Sequence, residues 1–415
     1  MAESYVIIGD GIAGSSAAET IREEAPEADI TVVTDEGEPL YNRILIKEFA
    51  KGKIPEAPLS IHDETWYAKR DIDLRLNTFI TEVDVDARTL RTHEGDDIEY
   101  DSLLVATGGT PTQLPVPGSD ATGVHHFWTF QDARKIAEDV SEADAGIVVG
   151  AGLLGIDFAA ICGERGVPAH YLMRGECWWR YALSEEGAEI VHEAMRERDV
   201  EPVLGSGVAE FETDDDGNLT AAIDTNGERY PADFAGVAIG LNFNTEFLQD
   251  TPVETDNGII VDEHMATSVD GVYAAGDITR FHDVILDEQT QNGSWGSAKE
   301  QGATAGRNMV ADGDEDEAVF RWVPSYSITH FDFPFLSFGH PTIGDTDAER
   351  KYSDSEWRRL TFKDGRLIGG VLIGDISAQS AYKTLIREER QVADQVDTLL
   401  EKKVDLDALA PAQEQ

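Results

Sequence analysis

Two glycine signatures, Gly9-Asp-Gly-Ile-Ala-Gly14 and Gly150-Ala-Gly-Leu-Leu-Gly155, limit what this chain can fold into more than any other feature. Each follows a short apolar run, Ser4-Tyr-Val-Ile-Ile-Gly9 in one case and Gly146-Ile-Val-Val-Gly150 in the other. Each opens a helical stretch, to about residue 24 and about residue 165, and an apolar strand follows at 30–34 and at 169–173. Strand, glycine turn, helix and strand make a βαβ unit. The copies lie about 140 residues apart, so the pattern predicts an α/β protein with two Rossmann-like dinucleotide-binding domains. Further strands ending in glycine are expected at 101–109 and 270–277.

The glycine spacing has a physical cause. The first glycine permits the tight turn, the second lets backbone approach a pyrophosphate, and the third lets helix pack on strand. The phosphates then meet free N–H groups at a helix N-terminus. Glu36, 22 residues beyond Gly14, stands where a ribose-binding acid belongs, with Asp35 as the competing residue. After the second loop that place holds Met173, followed by Arg174. A carboxylate there would bond the free 2′-hydroxyl of NAD, whereas arginine suits the 2′-phosphate of NADP. This favours NADPH over NADH; the alternative is an Arg174 that points into solvent. Arg180 is equally a second phosphate contact or surface, and Trp178 and Trp179 are expected to pack rather than to stack on adenine.

At 415 residues the chain exceeds one ordinary domain. Its 81 acidic and 33 basic residues give a formal charge of -48. Such a surface excludes nucleic acid as a partner and disfavours an anionic membrane, and no apolar run reaches spanning length. Acid dispersed along the whole chain repels itself in dilute buffer and is relieved by salt, which predicts a protein of a high-salt cytoplasm. The acidic runs at 214–216 and 312–317 read as solvated loops, and no metal site is expected. There are two cysteines, Cys162 and Cys177, and a strand begins after only four residues, leaving no signal peptide. A cytoplasmic protein without a disulfide framework is the expectation.

Taken together, GDGIAG, Tyr41-Asn-Arg-Ile-Leu-Ile-Lys47, ATGGTP at 106–111, GAGLLGID and VYAAGD ending at Asp277 carry a family resemblance. The chain resembles the pyridine-nucleotide:disulfide oxidoreductase superfamily, in particular its branch of rubredoxin and ferredoxin reductases, NADH oxidases and the flavin part of nitrite reductase. The resemblance implies FAD and NADH or NADPH as cofactors. It implies that Gly9, Gly11, Gly14 and Glu36 hold the ADP half of FAD, that Arg43 and Lys47 lie along its pyrophosphate and flavin, and that Thr107 and Gly108 close over it. Asp277 would bond the ribitol region, and a helix beginning at Trp295 would aim its N-terminus at the flavin pyrimidine. Gly150, Gly152, Gly155 and Arg174 would hold the nicotinamide nucleotide. Asp157 stands where relatives usually carry a glutamate paired with the lysine matching Lys47; one methylene shorter, the pair would be longer or water-bridged. Trp128, in His125-His-Phe-Trp-Thr-Phe130, stands where relatives often place an arginine, and the two histidines read as structural.

The disulfide reductases of that superfamily need a C-x-x-x-x-C pair in the helix carrying the lysine, and this chain has no cysteine before Cys162. Electrons must therefore leave the flavin directly. The implied reaction is hydride transfer from NAD(P)H to FAD and delivery to an acceptor, a small iron–sulfur or rubredoxin-like carrier or a quinone. The alternatives are an oxidase making hydrogen peroxide and a slow redox-sensing flavoprotein. Expected boundaries are 1–112 and 237–316 for the FAD domain, 113–236 for the NAD(P) domain, 317–400 for a C-terminal α+β interface domain, and 401–415 for a tail that is mobile beyond Asp405. In relatives the C-terminal region often mediates dimerisation, so a homodimer is an expectation beside a monomer. His330, Phe331 and Phe335 either approach the flavin from there or pack a core, and packing is the favoured role.

Overall fold

A computed structural model describes residues 3–311, 313 and 317–409. Most of the acidic run at 312–317 and the last six residues lie outside these. The chain divides into two compact units, one comprising Met1–Asn42, Ala57–Thr110 and Asn242–Pro324, the other Arg43–Glu56, Pro111–Leu241 and Ser325–Gln415.

The first unit is built on a five-stranded parallel sheet in the order Val272–Ala274, Ser102–Val105, Ser4–Ile8, Asp29–Val33, Ile72–Arg75. Its central strands are continuous apolar runs, because a parallel sheet is covered on both faces; Val6, Ile7, Val32, Leu103 and Leu104 are all fully buried. The Ile12–Glu24 helix follows the first glycine loop and packs against the Trp295–Met309 helix. Their closeness depends on glycine: a Cβ on Gly302 would stand 2.0 Å from the Ala13 carbonyl oxygen.

The second unit repeats the plan. Its parallel sheet runs Val200–Leu204, Ala169–Met173, Gly146–Val149, Phe234–Val237, Val124–His125, and the Gly155–Arg165 helix follows the second loop. The same unit holds the short Ile46–Ala50 helix, which carries Lys47, and an antiparallel five-stranded sheet from the C-terminal part of the chain. In that sheet Glu356–Lys363 and Arg366–Ile373 form the expected hairpin. Asp364 and Gly365 at its tip have φ of 49° and 78°, the left-handed pair that matches strand twist in a two-residue turn. The Gln379–Arg387 helix buries Tyr382, Leu385 and Ile386. Within the segment expected as a tail, Leu406–Ala408 forms a single turn and Leu409 is buried.

Candidate functional site

Both glycine loops have the same construction. Gly9 and Gly150 take φ of 108° and 110°, and a Cβ on them would meet the carbonyl oxygens of Ala106 at 2.3 Å and Ala238 at 1.9 Å. At the middle positions, Gly11 and Gly152, a Cβ would meet nothing within 4 Å. At Gly14 and Gly155 it would stand 1.9 Å and 2.1 Å from the first glycine's oxygen. Tight turn, open approach and close helix packing therefore fall in the order that a bound pyrophosphate requires. In the first unit Thr290 Oγ1 and Asn292 Oδ1 are buried without a hydrogen-bond partner, near in sequence to Asp277 and Trp295. Buried polar atoms of this kind call for a ligand or water, so this unit fits FAD.

Around the first loop, Glu36 is half-buried at the end of its strand and accepts a 2.6 Å hydrogen bond from Tyr41 Oη, while Asp35 is exposed. Asp277 and Trp295 are half-buried, and Thr107 is exposed beside a half-buried Gly108. Asp10, inside the loop, was not singled out by sequence. It accepts from Tyr67 Oη at 2.7 Å and from the Leu40 N–H at 3.0 Å. Burial pushes its carboxyl up to about 7, against the pull of those two donors. A carboxyl raised in the fold favours the folded state below its unfolded value and loses that contribution as pH rises through the folded one. Asp10 therefore becomes a burden between about pH 4 and pH 7. Relative to Asp10→Asn, the wild type is expected to lose about 3 kcal/mol of stability between about pH 5 and pH 8; urea unfolding of both proteins at both pH values measures this.

The second loop is anchored by Tyr171, to which sequence assigned no role, and by the two tryptophans expected to pack. Tyr171 Oη donates to the Gly150 carbonyl at 2.6 Å, the Trp179 N–H to Ala151 at 3.1 Å, and Trp178 Nε1 to Gly152 at 3.3 Å. Trp178 is fully buried, as a packing residue should be. Three successive carbonyls are thus tied to the protein. Arg174 is exposed at the end of its strand, and Arg180 donates to Tyr181 Oη.

In the same unit lies a buried charged cluster. Lys47 Nζ is 3.4 Å from Asp157 Oδ1, beyond the distance of a strong charge-assisted bond, as expected of an acid one methylene short. The same oxygen is 2.6 Å from His330 Nε2. His330 Nδ1 is 2.8 Å from Lys51 Nζ, which donates to Glu48 Oε1 at 2.8 Å. His330 is 2% exposed and Asp157 4%. Packing is therefore the wrong role for His330: it is buried, but in a polar chain, while Phe331 and Phe335 do join the core. Burial would raise the Asp157 carboxyl, yet the Lys47 ammonium and the His330 bond outweigh it and hold Asp157 below the usual range. Burial lowers both His330 and Lys51, against the pull of Asp157 on one and Glu48 on the other. The Lys47 ammonium also lies 5.4 Å from the centre of the Tyr326 ring. Arg43 Nη1 donates to the Trp128 carbonyl at 2.7 Å, with its guanidinium 5.7 Å from the Trp128 ring centre.

Cys162 and Cys177 are free and buried. Burial pushes the Cys162 thiol up to about 12 and raises Cys177 as well, so neither is a ready nucleophile. Among the described residues no group of three or more His, Cys, Asp or Glu could hold a metal ion, and no helix is long and apolar enough to cross a membrane.

Two dinucleotide folds, a lysine–carboxylate pair and no reactive thiol define an FAD-dependent oxidoreductase that uses NADH or NADPH. Residues 3–302 match the family described as pyridine nucleotide-disulphide oxidoreductase, and residues 324–390 match the rubredoxin NAD+ reductase C-terminal domain. The chain belongs to the pyridine nucleotide-disulphide oxidoreductase family. It is 31% identical over 277 residues to the ferredoxin reductase component of chlorobenzene dioxygenase from Cupriavidus sp. (strain PS12), covering 67% of each chain. It is 29% identical over 332 residues to putidaredoxin reductase of Pseudomonas putida, covering 79% of each. Its fold matches the reductase in a crystal structure of a covalent putidaredoxin reductase–putidaredoxin complex, with a TM-score of 0.89, 24% identity and 95% of both chains covered.

Proposed function

We propose that this enzyme passes electrons from NAD(P)H, preferentially NADPH, to a small iron–sulfur or rubredoxin-type carrier protein. The observation that carries this reading is the match of residues 324–390 to the C-terminal domain of rubredoxin reductases. The ferredoxin reductase and putidaredoxin reductase relatives support it. FAD, when bound, accepts a hydride and releases electrons singly. Gly9, Gly11, Gly14 and Glu36 hold its ADP half, and Arg43, Thr107, Gly108 and Asp277 secure the rest. The helix begun by Trp295 offers its N-terminal dipole to the negative charge that reduction creates. Lys47 supplies a further positive charge and Asp157 holds that lysine. Gly150, Gly152 and Gly155 receive the nicotinamide nucleotide's pyrophosphate, and Arg174 its 2′-phosphate. The domain boundaries expected from sequence serve as the working division.

Anaerobic stopped-flow mixing tests this directly. Reduction within about a second is expected, at least ~10-fold faster with NADPH than NADH, and Arg174→Ser is expected to remove that preference. Turnover should then depend on added carrier and be slow with dioxygen alone. No reduction by either nucleotide would sink the proposal, and fast carrier-independent peroxide formation would favour an oxidase.

We also propose a cytoplasm rich in salt as its setting, supported by the two free cysteines and the charge of -48. The urea midpoint is expected to rise from dilute buffer to roughly molar KCl, as screening shortens the reach of repulsion to ~3 Å. An unchanged midpoint would overturn it.

A further inference from the structure

We propose that His330 is a positioning residue that keeps the Lys47 charge available to the reduced cofactor, by holding the Asp157 carboxylate to itself and so beyond hydrogen-bond distance from Lys47. This rests on the reading that Lys47 serves the flavin.

Both contacts of Asp157 go to one oxygen. Oδ1 is 2.6 Å from His330 Nε2 and 3.4 Å from Lys47 Nζ, so the short bond goes to the imidazole and the long one to the ammonium. Lys51 explains why the imidazole is a donor there. An ammonium has only protons to give, so at 2.8 Å from Lys51 Nζ the His330 Nδ1 must accept. The ring proton then sits on Nε2, facing Asp157. Glu48 fixes Lys51 in turn, at 2.8 Å.

Charge balance agrees with this tautomer. Lys47 and Lys51 offset Asp157 and Glu48, so a neutral His330 completes a neutral set, whereas an imidazolium would leave a buried net charge. No other titratable side chain is in hydrogen-bond contact with His330 among the described residues. The backbone holds the ring in place. Phe331 and Asp332 both adopt left-handed φ, 55° and 62°, a costly conformation for non-glycine residues that persists only where surroundings enforce it. Phe331 is buried and Asp332 pairs with Arg198.

A fully paired ammonium presents a dipole to a third group, whereas a half-paired one presents more of its charge. A tighter Lys47–Asp157 bond would therefore weaken stabilisation of a negatively charged, reduced flavin. The test is the flavin midpoint potential of the holoenzyme in molar KCl for wild type, Lys47→Met, His330→Leu, His330→Gln and Asp157→Glu. His330→Leu should release Asp157 onto Lys47 and weaken the preference for the reduced form about tenfold, which is ~30 mV for a two-electron couple. His330→Gln, whose amide N–H can replace Nε2–H, should recover most of this. Asp157→Glu restores the missing methylene and should reproduce the loss with His330 intact, so the proposal stays testable if His330→Leu fails to fold. Imidazole nitrogen NMR of the wild type should show a neutral Nε2–H ring. If Lys47→Met lowers the potential but neither His330→Leu nor Asp157→Glu does, the positioning role is wrong. If Lys47→Met is silent, Lys47 does not serve the flavin, and the site assignment falls together with the proposal.

Discussion

Gly150→Ala is expected to slow reduction by NAD(P)H by at least ~100-fold, on the order of 3 kcal/mol of barrier, while FAD stays bound. The added Cβ would stand 1.9 Å from the Ala238 carbonyl oxygen, on a residue with φ of 110°. Contact and conformation are both backbone problems, so no rotamer change relieves them. The loop has little freedom to move aside, because Tyr171, Trp178 and Trp179 tie three of its carbonyls. The mirror substitution, Gly9→Ala, meets the Ala106 oxygen at 2.3 Å with φ of 108°. It is expected to cost flavin retention instead. Visible flavin absorbance after gel filtration, measured beside stopped-flow reduction, separates the two outcomes. Loss of flavin from Gly150→Ala, or its retention in Gly9→Ala, would contradict the assignment of one loop to each nucleotide.

Asp157→Ala is expected to destabilise the protein by about 3–5 kcal/mol, the usual cost of removing one partner from a buried ion pair. The loss is large because the buried Lys47 ammonium would then lose the carboxylate it faces, and His330 Nε2–H its acceptor. Asp157→Asn should cost nearly as much, since it keeps the acceptor for His330 Nε2–H but leaves the Lys47 ammonium without its carboxylate. A shift of the urea midpoint at unchanged slope measures both. A much smaller loss for Asp157→Asn would mean that shape and the His330 hydrogen bond, rather than charge, hold this cluster together.

The sequence alone determined the two dinucleotide folds, because each glycine signature is a local device in which turn, strand and helix lie within about thirty residues. It also settled the absence of a redox cysteine beside Lys47, which needs only inspection of residues 41–47. The long Lys47–Asp157 contact was legible in part, from the shorter side chain of aspartate, but the 2.6 Å bond from the same oxygen to His330 was not. The rest of the cluster was not. His330 meets Lys51 across 279 positions of sequence, and no periodicity brings residues so distant together. A partial signal was present, since Lys51 follows Lys47 by four residues on a helical turn and Glu48 sits within reach of it. The anchoring of the second loop was equally hidden, since the tryptophan pair reads as packing, and Tyr171 only as part of an apolar strand, until their polar atoms have positions. Local pattern decides which element forms. Only the tertiary structure decides which buried polar groups face each other, because satisfying a buried charge depends on whatever distant residues the fold brings within about three ångströms.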